Sequence, residues 1–197
     1  MSTSANPSVE WLREATGALR SEVHAVVCDV VAAHGAVGWL HLPDADETGE
    51  WLERELAVVR EGFAHFALAR IDGEPCGLGA LSIQRAPVLA RNGEVRKLMT
   101  RPATRGRGVA TAILMALEGR ARDLGLENLT LDVRGNNHGA MALYESLGWR
   151  RCGVVPDFIA VGDARFDQVN YVRALHRPAG ILLHGQAAEG PGASSRR

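Results

Sequence analysis

Cysteine is scarce in this sequence, and no long apolar run occurs in it. The three cysteines, Cys28, Cys76 and Cys152, are scattered and include no Cys-x-x-Cys pair. We therefore expect reduced thiols and no disulfide framework. No apolar stretch approaches the roughly 20 residues that a membrane-spanning helix needs, and residues 1–8 lack the apolar core of a signal peptide. These absences predict a cytoplasmic protein without a membrane partner.

An excess of charge of either sign is also missing. The formal net charge is -1, with 22 Lys and Arg residues against 23 Asp and Glu residues, and Lys97 is the only lysine. A general nucleic-acid binder is usually clearly basic, so we predict no nucleic-acid partner. His24 and Cys28 lie one helical turn apart, as two metal ligands would. Because no second ligand pair follows them, we predict no metal site.

The 197 residues suffice for one domain with a full hydrophobic core. Apolar residues recur at helical spacing over residues 9–33 and 51–61, while residues 44–50 are acidic and typical of a turn. The alternative for residues 9–33 is two helices divided at Gly17. An Asp-Gly pair at 72–73 between two apolar runs indicates a β-hairpin. The remaining strands are predicted at 93–100, 129–133, 150–154 and 169–174, and the remaining helices at 108–123 and 139–147.

This order of elements predicts an α/β (mixed) fold, in which helices cover both faces of one sheet. We expect residues 1–8 to be a disordered N-terminus and residues 9–176 to form the domain. Residues 177–197 are rich in Gly, Ala and Ser, and we expect them to be a flexible tail.

A glycine-rich turn separates the strand predicted at 93–100 from the helix that follows. The turn is Arg105-Gly106-Arg107-Gly108-Val109-Ala110. Glycine lets a ligand approach the backbone without a Cβ in the way, and the first turn of a helix carries unpaired N–H groups and a partial positive charge. The segment therefore predicts a phosphate site, with a helix start that merely contains glycines as the alternative.

Two better-known phosphate motifs do not fit this turn. A P-loop requires Gly-x-x-x-x-Gly-Lys-Ser/Thr, and both the lysine and the spacing are missing. A dinucleotide fingerprint requires Gly-x-Gly-x-x-Gly, and Thr111 stands in place of its last glycine. The pattern that remains is Arg-x-x-Gly-x-Ala.

The residues around the turn carry a family resemblance. Those that precede it are Glu94-Val95-Arg96-Lys97-Leu98-Met99 and Pro102, and those that follow are Asn137, Ala140 and Leu143-Tyr144-Glu145-Ser146-Leu147-Gly148-Trp149. This ordered set resembles the GNAT superfamily of N-acetyltransferases over residues 93–153. The resemblance implies the GNAT fold, a twisted, mostly antiparallel mixed sheet with a central splayed pair of parallel strands and helices on both faces.

A looser similarity extends over residues 22–175 and points to one branch of the family, the tabtoxin-resistance acetyltransferases. The residues that resemble this branch are Gly35-Ala36-Val37-Gly38-Trp39, Trp51, Asp72-Gly73, Lys97-Leu98-Met99 and Gly153-Val154-Val155-Pro156-Asp157-Phe158. Thr100 and Trp149 depart from the branch, in which an aliphatic residue and a smaller aromatic residue are usual.

The resemblance implies acetyl-CoA as a co-substrate and no metal. The pantetheine arm is expected to pair with the backbone of residues 98–100 as an added strand, beside a bulge that leaves the Met99 N–H free for the thioester oxygen. The pyrophosphate is expected on the glycine turn. The expected cofactor-binding residues are Leu98, Met99, Thr100, Arg105, Gly106, Arg107, Gly108, Val109, Ala110, Asn137 and Tyr144. Asn136 is an alternative helix cap beside Asn137.

Three side chains occupy positions that the family uses for proton transfer. An amine must lose a proton before it attacks, and a departing thiolate, whose thiol has a pKa of about 8.5, is helped by a proton donor. The resemblance implies Tyr144 as the donor and Glu94 with Asp132 as proton acceptors that act through water. The alternatives are a packed aromatic ring at Tyr144 and carboxylates that only position a cationic substrate.

We therefore predict an acetyl-CoA-dependent N-acetyltransferase that acetylates a primary amine of a small molecule, such as an antibiotic or toxin, by direct attack in a ternary complex. Trp39, His41, Trp51 and Phe158 lie in regions that often line the acceptor site, or else they belong to the core. The alternatives are a protein N-terminal or lysine acetyltransferase and a non-catalytic acyl-CoA-binding module. The sequence is compatible with a monomer or a homodimer.

Overall fold

The computed structural model describes residues 6–35 and 37–175. In chain order the elements are β1 (Ser8–Leu12), α1 (Gly17–Ala32), α2 (Ala45–Arg60), β2 (Ala64–Ile71), β3 (Glu74–Ile83), β4 (Asn92–Thr100), α3 (Val109–Asp123), β5 (Asn128–Arg134), α4 (His138–Ser146), β6 (Arg150–Val161) and β7 (Ala164–Ala174). Short 3₁₀ turns at Pro87–Leu89 and Pro102–Thr104 precede β4 and α3. The predicted tail at 177–197 and residues 1–5 of the predicted disordered N-terminus lie outside the described residues.

The strands form one sheet in the order β1-β2-β3-β4-β5-β7-β6. Neighbouring strands are antiparallel except β4 and β5, which run parallel. The parallel pairing is short, because only residues 92–94 are matched with residues 128–130. Beyond these residues the two strands separate, and a cleft lies between them. This arrangement confirms the predicted mixed sheet with a central splayed parallel pair.

Helices cover both faces of the sheet, as predicted. On one face α1 and α2 bury a cluster that includes Leu52, and on the other α3 and α4 bury a cluster that includes Ile113. Strand β2 contributes to both clusters, because side chains alternate across a strand. Phe66 and Leu68 belong to the first cluster, and Ala67 belongs to the second.

The N-terminal residues differ from the prediction. The apolar pattern predicts a helix over residues 9–33, but β1 occupies Ser8–Leu12 and pairs antiparallel with β2, so that α1 begins only at Gly17. Val9 and Trp11 are half-buried and alternate with exposed polar residues. This is a period of two, the signature of a strand, and it is too short to outweigh the longer helical pattern that follows.

The acidic segment at 44–50, predicted as a turn, is the start of α2 instead. The Asp44 side chain accepts a hydrogen bond from the Glu47 N–H at 2.8 Å, and the Glu47 side chain accepts one from the Asp44 N–H at 2.9 Å. These reciprocal bonds form a capping box, which satisfies two otherwise unpaired helix donors. Negative charge at this end also interacts favourably with the helix dipole.

The last two strands are longer than predicted and form a hairpin. The predictions at 150–154 and 169–174 fall inside β6 and β7. The register shifts between Val155 and Ile159, and Asp157 in this stretch has a φ of 54°. The bulge interrupts the alternating pattern, so the far half of β6 is not visible as a strand in the sequence.

Candidate active site

The cleft between β4 and β5 contains two adjoining cavities. The first, of about 860 Å³, lies between the glycine turn, the end of β4 and the start of α4. The second, of about 620 Å³, lies between β4, β5, the loop after α1 and the end of β6. Leu98, Arg134, Asn137 and Tyr144 are among the residues that line both. The cavities therefore meet beside these side chains.

The glycine turn forms one wall of the first cavity. Gly106 and Gly108 both have a φ of 77°, in the left-handed region that favours glycine, and Gly108 is the N-cap of α3. A Cβ at either position would meet no heavy atom within 4 Å. Helix α3 has neither a side-chain cap nor an acidic residue in its first turn. Its N–H groups and its partial positive charge are thus available to an anion.

A glycine in β3 allows α3 to lie close to β4. A Cβ on Gly77 would lie 2.8 Å from the Met99 carbonyl oxygen and 2.8 Å from the Val109 Cγ1 atom. Both separations are shorter than van der Waals contact, so only glycine permits this packing. The start of α3 is therefore held beside the end of β4, where residues 98–100 lie.

The first cavity gathers the expected cofactor-binding residues, with the exception of Arg107. Arg107 is exposed and is not among the residues that line the cavity, whereas Arg105 is. Asn137 lines the cavity and is also the cap of α4, because its Oδ1 atom accepts a hydrogen bond from the Ala140 N–H at 3.2 Å. The neighbouring Asn136 is therefore not the cap of this helix.

Strand β4 contains a β-bulge at the edge of both cavities. Lys97 and Leu98 stand opposite the single residue Gly79 in the ladder between β3 and β4. Lys97 has a φ of 56°, a left-handed conformation that costs a residue with a Cβ roughly 1–2 kcal/mol. A bulge leaves part of a ladder unpaired. The bulge expected beside Met99 is confirmed.

Glu94 and Asp132 both line the second cavity, on the two strands that separate. Burial raises the pKa of the Glu94 carboxyl, the charge of Arg96 lowers it, and the charge of Asp132 raises it again. Burial also raises the pKa of Asp132, and Lys97 opposes that change. The structure thus brings the two predicted acids to one cavity. Their raised pKa values bring them nearer to neutral pH, where a general base works best.

Tyr144 lies at the junction of the two cavities. Its side chain is 6% exposed. Burial, with smaller contributions from Asp132 and Tyr171, raises its pKa to about 12. The phenol is therefore protonated at neutral pH and can donate a proton.

Four side chains were expected near an acceptor, and only Trp39 lines the second cavity. Trp51 is buried and packs against Trp39, with the two ring centroids 5.1 Å apart. His41 contacts Glu47 at 3.2 Å, and Phe158 is exposed; neither lines either cavity.

Three cations of the second cavity were not expected from the sequence. Arg96 forms an ion pair with Glu55 at 3.0 Å. Arg134 donates to the His34 carbonyl oxygen at 3.2 Å. Lys97 is one of the two bulge residues of β4, and it lines the cavity. The signal that could have drawn attention to Lys97 is its status as the only lysine, placed inside the motif of β4.

Outside this cleft, His24 and Cys28 do approach one another, with the Cys28 Sγ atom 3.6 Å from the His24 ring nitrogens. The His24 Nδ1 atom also lies 2.9 Å from the Thr48 hydroxyl. Within residues 6–35 and 37–175, no group of three or more His, Cys, Asp or Glu side chains could hold a metal ion. Over the same part of the chain, no helix combines the length and apolarity needed to cross a membrane.

A profile of the Acetyltransferase (GNAT) family matches residues 10–149. The chain belongs to this family. The match begins in β1 and includes β4, the glycine turn, β5 and α4, which supply most walls of both cavities.

Two curated relatives align with about half of this chain. An N-alpha-acetyltransferase of Saccharolobus solfataricus is 29% identical over 109 residues, which cover 55% of this chain and 62% of that relative. A mycothiol acetyltransferase of Salinispora tropica is 36% identical over 115 residues, which cover 55% of this chain and 37% of that relative. The chain thus spans less than two thirds of the length of either relative.

Solved structures share the fold of this chain at low sequence identity. The protein yncA from Salmonella typhimurium, whose structure contains its cofactor acetyl-CoA, superposes with a TM-score of 0.71 at 19% identity. The superposition covers 88% of this chain and 96% of yncA.

Proposed function

We propose that this acetyltransferase transfers the acetyl group of acetyl-CoA to a primary amine of a small molecule, by direct attack in a ternary complex. The observation that carries the proposal is the junction of two cavities at Tyr144. One cavity has an anion-binding turn, and the other has two carboxylates. Two substrates bound side by side would meet at this junction, which removes the need for a covalent enzyme intermediate.

The residues of the first cavity fit coenzyme A. Gly106, Gly108 and the start of α3 would bind the pyrophosphate, with Arg105 adding positive charge. The backbone of residues 98–100 would pair with the pantetheine arm. Beside the bulge, the Met99 N–H would donate to the thioester oxygen. Acetyl-CoA, when bound, supplies the electrophilic acetyl carbon and a thiolate leaving group.

The residues of the second cavity fit the proton transfers of amine acetylation. Glu94 and Asp132 would accept the proton of the amine, directly or through water, and their raised pKa values suit that exchange. Tyr144 would donate its hydroxyl proton to the departing sulfur. A module that only bound acyl-CoA would have no use for two carboxylates and a protonated phenol around one junction, so the arrangement favours catalysis.

The size of the second cavity supports a small acceptor. Its volume of about 620 Å³ falls inside the range of roughly 300–1,000 Å³ that is typical of small-molecule sites. The outer part of β6, residues 159–161, forms one of its walls. We further propose that the acceptor is an antibiotic or toxin amine and that the chain lies in the tabtoxin-resistance branch. The support is Gly38-Trp39 and Lys97-Leu98-Met99, which lie in or beside the cavities.

A peptide N-terminus is the second candidate acceptor. The observation in its favour is the relative named as an N-alpha-acetyltransferase. A peptide would need to enter the second cavity between the loop after α1 and the end of β6. A small amine would lie inside the cavity, whereas the rest of a peptide would extend out of it. Activity with the two kinds of acceptor can therefore be compared directly.

The test measures free thiol released from acetyl-CoA with a panel of small primary amines and with short peptides that have a free N-terminus. We expect saturable turnover with small amines and a lower kcat/KM with every peptide. Turnover restricted to peptides would establish the second candidate instead. Calorimetry with acetyl-CoA completes the test, because binding without turnover of any acceptor would identify a non-catalytic module.

A matched pair of variants tests the role of Glu94. Glu94→Gln removes one carboxylate from the second cavity, and Glu50→Gln makes the same chemical change at an exposed position on α2. We expect Glu94→Gln to lower kcat by roughly 100-fold and Glu50→Gln to leave it unchanged. Full activity of Glu94→Gln would show that Glu94 is not the base.

A further inference from the structure

Lys97, the only lysine of the chain, directs its ammonium group into an aromatic corner of the second cavity. Its Nζ atom lies 6.0 Å from the ring centroids of both Trp39 and Trp51. A Cβ added to Gly38 would lie 3.3 Å from the same atom. The loop after α1 therefore lies against the ammonium group.

The charge of Lys97 has no close counter-ion in the described part of the chain. Arg96, the preceding residue, has its ion pair with Glu55, but Lys97 has no carboxylate oxygen within 4.0 Å among residues 6–35 and 37–175. Burial lowers the pKa of the Lys97 ammonium, and the charges of Glu55 and Asp132 offset this only from longer range. A half-buried cation without a partner is unfavourable. An anion in the cavity would relieve that cost.

The backbone at Lys97 is also unfavourable for a lysine. Its φ of 56° belongs to the left-handed region, where glycine or asparagine would be strained less. Backbone strain of this kind clusters at ligand sites. The bulge itself accounts for the conformation of the backbone, but not for a long cationic side chain that extends into a cavity.

A second donor in this corner also lacks an acceptor. The Trp51 Nε1 atom is buried and has no hydrogen-bond partner, although Trp51 as a whole is 7% exposed. Its ring packs against Trp39 and lies below the Lys97 ammonium. The Lys97 ammonium group and the buried Trp51 N–H are thus both donors, and neither is matched by a carboxylate or carbonyl oxygen in the described residues.

The second cavity therefore has charge of both signs. Glu94 and Asp132 provide negative charge for an amine, while Lys97 is a positive group beyond salt-bridge distance from either of them. The other two cations of the cavity are engaged, Arg96 by Glu55 and Arg134 by the His34 carbonyl oxygen. Apolar side chains, which include Trp39, Leu40 and Val161, complete the wall. A ligand that matches this pattern has an amine, an anionic group a few bonds away and an apolar side chain.

We propose that the acceptor is an α-amino acid with an apolar side chain, and that Lys97 is the residue that binds its carboxylate. This inference rests on the proposed function and names the class of its acceptor. The amine lies toward Glu94 and Asp132, and the carboxylate forms a charge-assisted hydrogen bond with the Lys97 Nζ atom. The cation thus selects among primary amines for those that carry a carboxylate.

The first test compares matched acceptors that differ only in the carboxylate. For leucine the set is leucine, leucinamide and isoamylamine, and for phenylalanine it is phenylalanine, phenylalaninamide and phenethylamine. We expect kcat/KM to be roughly 10- to 100-fold higher for the acid than for its amide, as expected for a hydrogen bond between charged groups. In Lys97→Met this ratio should fall toward one, and in Lys97→Arg most of it should persist.

Arg54→Met is the matched control for these variants. It removes an exposed cation of α2 that lines neither cavity, and we expect it to keep the wild-type ratio. Because the readout is a ratio between two acceptors, a general loss of activity in Lys97→Met does not imitate the expected result. A wild-type ratio near one, or a ratio that Lys97→Met leaves unchanged, overturns the proposal.

The second test observes Lys97 without relying on turnover. Labelling with 13Cε-lysine gives one side-chain resonance, because the chain has a single lysine. With coenzyme A present, added leucine should shift this resonance and raise the pKa of Lys97, while leucinamide should not. Equal shifts with both ligands, or none with leucine, overturn the proposal.

The amino-acid acceptor and the acetyltransferase function are rejected by different outcomes. Binding of acetyl-CoA and turnover of uncharged amines or peptides, without a preference for the acids, rejects the amino-acid acceptor and keeps the acetyltransferase. If acetyl-CoA binds and no member of either set is acetylated, the amino-acid acceptor is likewise rejected. A protein that does not bind acetyl-CoA rejects the proposed function and this inference together.

Discussion

Tyr144 and Tyr171 pack edge to face, with their ring centroids 5.6 Å apart, but only Tyr144 lines the two cavities. The Tyr171 hydroxyl instead donates to a Glu145 carboxylate oxygen at 2.9 Å. These are the two tyrosines of the chain. Each can be changed to phenylalanine with the loss of one hydroxyl from the same aromatic cluster, so the pair separates a chemical role from a packing role.

Tyr144→Phe should lower kcat by roughly 100-fold at pH 7, because the departing thiolate loses its proton donor. The deficit should shrink as the pH rises past the pKa of a free thiol, about 8.5, since the leaving group no longer needs a proton there. Rates of thiol release between pH 6.5 and pH 10, taken at saturating substrates, measure both effects.

Tyr171→Phe is the control and should keep kcat close to that of the wild type. Both variants should bind coenzyme A with similar affinity in calorimetry. An equal loss of kcat in the two variants, or a Tyr144→Phe deficit that does not change with pH, would indicate that the Tyr144 hydroxyl matters for packing and not for proton transfer.

The charge of Asp132 should be visible in the pH dependence of catalysis. A base is active when deprotonated, so kcat should fall as the pH drops through the raised pKa of Glu94. Because Asp132 contributes to raising that pKa, Asp132→Asn should move the acidic limb of the profile to lower pH, toward the ordinary Glu value of about 4.3. A limb that stays in place or moves to higher pH would contradict the coupling of the two acids.

The walls of the first cavity could be predicted from the sequence because its parts are local. The glycine turn and the position of Tyr144 on α4 each depend on spacing within one short segment, whereas the cap of α4 is Asn137 and not the neighbouring Asn136. The bulge before Met99 followed from the family resemblance and is confirmed. Arg107 shows the limit of this reasoning, because a motif specifies the backbone of a turn and leaves open which way an exposed side chain points.

The acceptor side could not be predicted in the same way, because its walls come from distant segments. Trp39, Lys97, Asp132 and Val161 meet only when the loop after α1 and the hairpin of β6 and β7 fold over the cleft. No periodic pattern within one segment of the sequence indicates that these residues lie close together in the fold. The far half of β6 was hidden by its bulge, and only its status as the single lysine, inside the motif of β4, sets Lys97 apart in the sequence.

Gly106 and Gly62 allow a controlled test of the anion-binding turn. Their φ values are 77° and 82°, and in both cases an added Cβ would meet no heavy atom within 4 Å. Substitution by alanine should therefore impose a similar backbone cost of roughly 1–2 kcal/mol at either position. Only Gly106 lines the first cavity.

Gly106→Ala should weaken the binding of coenzyme A by about tenfold or more, because the new Cβ and the strained turn displace the backbone from the pyrophosphate. Gly62→Ala should lower the free energy of unfolding by a similar amount and leave the affinity unchanged. Urea unfolding and calorimetry measure the two quantities. If both variants bound coenzyme A equally well, the turn would not be the phosphate site.

The charged Glu94 carboxylate should destabilise the fold at neutral pH, because it is partly buried in the cavity. Burial raises its pKa in the folded state, so the charged form is less favourable there than in the unfolded chain, and this penalty is complete above the folded pKa. Glu94→Gln should accordingly raise Tm at pH 7; for a chain of this size an increase of roughly 2–4 °C corresponds to 1 kcal/mol. Below the ordinary Glu pKa of about 4.3 the carboxyl is protonated in both states. The difference in Tm should therefore disappear as the pH falls from the folded pKa of Glu94 to below about 4.3.

Thermal unfolding at several pH values measures the sign of this difference in Tm, with Glu50→Gln as the exposed control. A Glu94→Gln variant that is less stable than the wild type at pH 7 would show that the Glu94 carboxylate stabilises the fold.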